Sequence, residues 1–135
     1  MNKKYFFVGL GFILLDQITK LLVKEKIQIF SFFSLERVTN TGALFGLFKG
    51  NNSVFIILSF ILLSLIIIWF VKEKKSKVKF ALILLISGLI GNLIDRIIYG
   101  FVVDFINFRF WYVFNLADCY IILAIFLLAY SETRK

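Results

Sequence analysis

The chain has 135 residues, enough for one domain and short of two, with 61% hydrophobic residues, a mean hydropathy of +0.94 and a formal net charge of +8. That apolar content exceeds the globular norm of roughly 45–50% and argues for a membrane protein, in which the positive charge reads as topology and attraction to anionic lipid rather than nucleic-acid binding. There is no histidine, no proline and a single cysteine, Cys119, which excludes an internal disulfide, cysteine-based zinc sites, histidine-dependent triads and HExxH metal centres.

The first apolar run, Tyr5–Val23, is interrupted by Asp16, Gln17 and Lys20. Lys3 and Lys4 precede it as in a signal peptide. No small-x-small cleavage site follows, and polar residues sit where an h-region is apolar, so a retained helix is predicted at about 5–23. The next stretch, "IQIFSFFSLERVTN", is aromatic and β-branched with interspersed polar residues, which predicts short strands over Ile27–Val38. "TGALFGLFKGNN" follows, where Gly42, Gly46 and Gly50 mark turns or close backbone approach. The β-like segment is placed at about 27–46.

Val54–Val71 carries no charge and predicts a second helix at 54–71. The segment "VKEKKSKVK" then holds Lys72, Lys74, Lys75, Lys77 and Lys79. A third run, Val78–Ile94, ends in Asp95 and Arg96, with the helix placed at about 78–98. "YGFVVDFINFRFWYVF" reads as strand-like or interfacial, with Tyr99, Trp111 and Tyr112 suited to the headgroup belt. The last run, Val113–Tyr130, predicts a helix at 113–130 with Asn115 and Asp118 near its start. Runs of about 17–19 residues make helices of roughly 25–29 Å, enough to span a bilayer core. The chain reads as a single integral-membrane domain over residues 1–135.

Lysine placement sets the orientation. With four spans, the lysine loop and both termini (Lys3, Lys4, Arg134, Lys135) fall on one side, which the positive-inside rule makes cytoplasmic. Asp16 and Lys20, Asn40, Asp95 and Arg96, Asp104, and Asn115 and Asp118 then all lie near one depth, at the outer face. Asn92, Asp95 and Arg96 share a helix face, as do Asn115 with Asp118 and Asp16 with Lys20. Ser87, Gly88 and Gly91 give the third helix a small surface for a close neighbour.

From position alone each of these residues has two readings. Asp104 is a catalytic group or a solvated loop charge. Asp118 is functional, as intramembrane carboxylates are by default, or a cation-paired packing residue. Arg96 lines a site or anchors its helix at the headgroups. Asn40 and Asn115 contact substrate or satisfy backbone groups at turns and helix starts. Asp95 reads as structural, Asp16 with Lys20 as an ion pair whose lysine snorkels outward, and Cys119 as packing. Two converging carboxylates share one proton, so one activates water while the other polarises a carbonyl. A proton-coupled transporter with carboxylate relays and a non-enzymatic anchor protein are the competing functions.

Five motifs in order resemble the lipoprotein signal peptidase (signal peptidase II) family, the integral-membrane aspartic proteases of bacteria: "DQITK" at 16–20, "NTGALFG" at 40–46, "GNLIDR" at 91–96, "VVDF" at 102–105 and "FNLAD" at 114–118. The resemblance covers nearly the whole chain. It implies an all-α fold with a small β element: a four-transmembrane-helix bundle plus an outward-facing β-cradle. It also implies a catalytic dyad of Asp104 and Asp118. Asn40, Asn92, Arg96 and Asn115 fall on family positions that line the site or bind substrate. Asp16, Lys20, Gly42 and Asp95 fall on supporting positions. The implied substrate is a prolipoprotein whose lipobox cysteine carries diacylglycerol, cut just before that cysteine, with no metal or cofactor. The expected setting is the bacterial cytoplasmic (inner) membrane, multi-pass, with the active site near the outer leaflet. Membrane lipids and the prolipoprotein are the expected partners, nucleic acid is not, and the protein is expected to act as a monomer. The chain departs from the family pattern at Leu44, in lacking a proline before "FNLAD", and in the short interval between the two aspartates, departures that bear on outer-loop size and substrate selection.

Overall fold

Long apolar runs alternate with more polar connections along the chain, and the computed structural model follows that punctuation over the residues it describes, 3–42 and 50–133. Helix α1 spans Lys3–Leu22, strands β1 and β2 span Ile27–Phe30 and Phe33–Asn40, and helix α2 spans Asn52–Lys72. Helix α3 spans Ser76–Tyr99, strand β3 Val102–Phe108, and helix α4 Leu116–Glu132. The 43–46 end of the expected β-like segment, with Leu44 and Gly46, lies outside the described residues, as do Arg134 and Lys135.

Helix α2 shows most directly what surrounds the bundle. It buries Ser59, Leu63 and Phe70, while Phe60, Leu65 and Val71 are more than half exposed. A helix that is hydrophobic on every side yet largely uncovered by protein needs an apolar solvent. Helices α1, α2 and α3 are each long and apolar enough to cross a membrane. Helix α4 is shorter, at 17 residues.

Helix α3 is the hub, packing against α1, α2 and α4. At one end, Tyr5 and Val8 of α1, Phe70 of α2 and Leu128 of α4 pack around Val78, Leu82 and Ile83 of α3. The starts of α1 and α3 therefore meet the ends of α2 and α4, so the four helices alternate in direction. The Glu73 N–H donates to the Trp69 carbonyl at the end of α2, and its side chain shapes the turn into α3 by accepting from the backbone N–H groups of Lys74 and Lys75 at 2.8 and 2.9 Å.

At the opposite end α3 stops at Gly100, whose left-handed backbone (φ +80°) lets its N–H reach the Arg96 carbonyl at 3.2 Å. Two residues later β3 begins. It is one edge of an antiparallel sheet ordered β1-β2-β3, in which Val38 faces Asp104 and Asn40 faces Val102. Val102, Val103, Asp104 and Phe105 are all buried, so this strand is covered on both faces and does not alternate. Phe114 pairs with Ile106 at the far side of β3, with N–H to carbonyl distances of 2.8 and 3.1 Å. That pairing keeps Val113 and Phe114 extended, so α4 starts at Leu116, three residues past the expected 113. Asn115 is its N-cap rather than a first-turn residue.

Candidate active site

Helix α4 begins with a reciprocal cap. The Asn115 side chain accepts from the Asp118 backbone N–H at 3.0 Å, and Asp118 Oδ2 accepts from the Asn115 backbone N–H at 3.2 Å. This satisfies helix-start donors that would otherwise be orphaned. It also fixes both side chains, and with its Oδ1 engaged Asn115 turns Nδ2 towards Asp104 Oδ1, at 2.7 Å. One asparagine therefore joins the two aspartates. Asp104 Oδ2 accepts from Asn40 Nδ2 at 2.9 Å, and Asp118 Oδ1 accepts from Asn92 Nδ2 at 2.8 Å. Every carboxylate oxygen of the pair faces an N–H donor.

Beneath this pair is a buried ionic layer. Lys20 Nζ lies 2.8 Å from Asp16 Oδ2, 2.9 Å from Asp95 Oδ2 and 3.2 Å from Asn92 Oδ1. The expected Asp16–Lys20 pair is present, but the expected outward snorkel is not: Lys20 is only 3% exposed. Two carboxylates and an amide oxygen inside the bundle offset its desolvation, so the ammonium has no reason to reach for water. The same carboxylates hold backbone. Asp16 Oδ1 accepts from the Ala117 N–H at 3.0 Å, and Asp95 Oδ2 from the Val103 N–H at 3.0 Å. Asp16 thus tethers the start of α4, and Asp95 tethers β3 one residue before Asp104.

Sequence reasoning passed over Gln17 and Arg37. Gln17 Nε2 donates to Asp16, to Asp95 and to the Gly91 carbonyl, each at 3.1 Å. Arg37 Nη1 donates to the Lys20 carbonyl at 2.8 Å, closing the last turn of α1. The signal for Gln17 was its place inside a polar break in an apolar run. Arg37 had no such signal, because its contact depends on how β2 folds back over α1.

A cavity of about 600 Å³ opens onto the pair. Asn40, Gly42, Asn92, Arg96, Asp104 and Asp118 supply its polar wall, and Trp111, Tyr112, Phe114, Ile121 and Ile122 its apolar wall. Gly42 donates its N–H to Asn40 Oδ1 at 3.0 Å, which orients that amide. Arg96 stacks its guanidinium over Phe55 at 5.0 Å, and its carbonyl accepts from Asn52 at 2.9 Å. Burial, and then the charge of Asp118, push the Asp104 carboxyl up to about 7. The Asn40 and Asn115 donors and the Lys20 charge offset this only in part. A carboxyl that holds its proton near neutrality beside a second carboxyl is equipped for acid–base hydrolysis. Among the described residues no three carboxylate or cysteine side chains converge as metal ligands. All ten residues singled out from the sequence fall in this site, its cavity wall or the ionic layer below it.

The chain matches the family model described as signal peptidase (SPase) II over residues 8–134. It is 41% identical over 131 residues to the lipoprotein signal peptidase of Halothermothrix orenii, covering 91% of this chain and 90% of that one. It is 35% identical over 127 residues to the lipoprotein signal peptidase of Moorella thermoacetica, covering 87% and 84%. A bacterial membrane enzyme solved by the in meso method at 2.3 Å resolution superposes with a TM-score of 0.90 at 26% identity, covering 99% of this chain and 90% of that one. A second, solved at 1.9 Å, gives 0.86 at 27% identity, covering 98% and 94%.

Proposed function

This chain belongs to the signal peptidase II family of bacterial membrane aspartic proteases, and we propose that Asp104 and Asp118 are its catalytic pair. The observation that carries this reading is the Asn115 bridge, which joins both carboxylates on the wall of one cavity. Asp104, raised to about 7, donates its proton towards the scissile carbonyl oxygen. Asp118, held by the start of α4, takes a proton from water as the water oxygen bonds to the carbonyl carbon. Collapse of the tetrahedral intermediate returns the carbonyl proton to Asp104. The C–N bond breaks, and Asp118 protonates the departing amine. Asn40, Asn92, Arg96 and Asn115 position the peptide and the pair, while Asp16, Lys20, Gly42 and Asp95 hold the frame.

The substrate in this reading is a diacylglyceryl-modified prolipoprotein, cut before the modified lipobox cysteine. The apolar cavity wall faces the acyl chains and the signal helix. The chain acts as one peptidase domain and as a monomer in the cytoplasmic (inner) membrane, in contact with its lipids, with α4 as the fourth span. Both termini and the lysine loop are cytoplasmic, and the sheet and active site lie at the outer leaflet.

Purified protein and a synthetic prolipoprotein, with and without the diacylglyceryl group, test the reading. The modified substrate is expected to yield a new N-terminus at the modified cysteine, and the unmodified peptide to react at least about 100-fold more slowly, because remote binding energy is lost. Proton-coupled solute flux in liposomes with no cleavage would overturn it. The rate is also expected to depend on pH in a set direction. Asp104 carries its proton below about 7 and loses it above, so kcat is expected to fall on the alkaline side with a midpoint in that region. A rate that holds level well into the alkaline range would remove Asp104 as the acid.

A further inference from the structure

The three amides around the pair are each locked in one orientation by a second partner. Asn115 Oδ1 is held by the Asp118 backbone N–H, and Asn40 Oδ1 by the Gly42 backbone N–H. Asn92 Oδ1 is held by the Lys20 ammonium. Two of these locks are therefore main chain. Among the described residues Lys20 is the charged lock. Its three N–H donors meet three acceptors, Asp16, Asp95 and Asn92, so it has no spare valence for another arrangement.

We propose that Lys20 is a positioning residue for the peptide cleavage, acting through the Asn92 amide on Asp118. An ammonium can only donate. It therefore forces Asn92 to face it with oxygen and to offer Nδ2 to Asp118 Oδ1, at 2.8 Å. A flipped amide would set NH2 against the ammonium and a carbonyl oxygen against the carboxylate. The second contact is tolerable only if Asp118 is protonated, and then Asp118 cannot act as base. Lys20 thus keeps the amide cage in the form that matches an ionised Asp118. Asn115 Nδ2 also points at Asn92 Oδ1, at 3.0 Å, but it is shared with Asp104 and the Val103 carbonyl and is a weaker lock. This inference rests on the dyad reading.

Lys20→Met alone strands two buried carboxylates. The cleaner variant is Asp16→Asn/Lys20→Met/Asp95→Asn, which leaves no charge in the layer and whose amides still offer oxygen to the Ala117 and Val103 N–H groups. It is expected to fold, to lose about 100-fold in kcat and to keep KM within about threefold. Adding Asn92→Ala to it is expected to cost little more, because both changes remove one interaction. A folded triple variant with near-native kcat, or a loss that multiplies with that of Asn92→Ala, would overturn the proposal. So would failure of both the single and the triple variant to fold, since Lys20 would then be structural. Asp118→Asn assayed alongside separates the two readings: if it is inactive the dyad stands whatever Lys20 does, and if it is active the dyad itself is removed.

Discussion

Asp118→Asn is expected to abolish processing of a lipid-modified prolipoprotein, with kcat lower by about 10⁴-fold or more, while the protein still accumulates in the membrane. An asparagine keeps one oxygen for the Asn92 donor and keeps the backbone N–H that the Asn115 side chain caps. It loses the contact from the Asn115 backbone N–H, at 3.2 Å the longest of the four donors around the pair. It also loses the ability to accept a proton from water, which the surrounding amides and the saturated Lys20 cannot supply and which Asp104 cannot supply while it serves as the acid. Asp104→Asn is expected to be equally inactive for the opposite reason, since it removes the proton offered to the carbonyl oxygen. Its amide nitrogen would also face either Asn40 or Asn115, so a modest loss of thermal stability is expected besides. Cleavage assays on membranes with matched protein levels check both variants. Full processing by either would sink the two-aspartate mechanism.

The aspartates were legible because carboxylates are conspicuous in an apolar chain, and because Asp16, Asp95, Asp104 and Asp118 fall at one depth once four helices are threaded back and forth. The reading of Asp95 as structural agrees with its bond to Val103. Of the two readings of Asn115, substrate contact or backbone partner, the second describes what its side chain does at the helix start. It caps α4, and the same amide then reaches Asp104. What could not be read was the third dimension of the polar layer. Helical spacing pairs Asp16 with Lys20, but it cannot tell that α3 presents Asp95 and Asn92 to the same ammonium. The lysine was expected to turn outward on that account. Nor does the sequence reveal that Phe114 continues along β3 and delays the start of α4. The apolar run placed the helix start at 113, but Val113 and Phe114 are β-branched and aromatic, and a strand contact made across eight residues draws them to the sheet.

Gly88→Ala is expected to be strongly destabilising. A Cβ at position 88 would lie 2.5 Å from the Ala117 carbonyl oxygen and 2.7 Å from Ile121 Cγ1. The first of these is backbone and cannot rotate away, so α4 must move as a body. At Gly91 a Cβ would lie 2.6 Å from Asp16 Oδ2 and 3.3 Å from Ala117 Cβ. There the side chain can move, but only by leaving Lys20 and the start of α4. Overpacking alone costs about 1–3 kcal/mol, and disturbing a buried ion pair about 3–5 kcal/mol, so either variant is expected to lower Tm by many degrees in detergent. Gly11→Ala is the control. It is also inside a helix, α1, but nothing lies within 4 Å of its Cβ position, so the usual helix preference for alanine, about 1 kcal/mol, is expected to raise Tm slightly. If all three variants melted together, the close approach of α3 to α4 would not be what sets the position of Asp118. If the order is Gly88 and Gly91 far below wild type and Gly11 at or above it, then the small residues of α3 set the packing that places Asp118. They let the start of α4 come near enough for Asp16 to hold Ala117 and for Asn92 to hold Asp118, and a displacement of α4 by even an ångström would break the amide bridge between the two carboxylates.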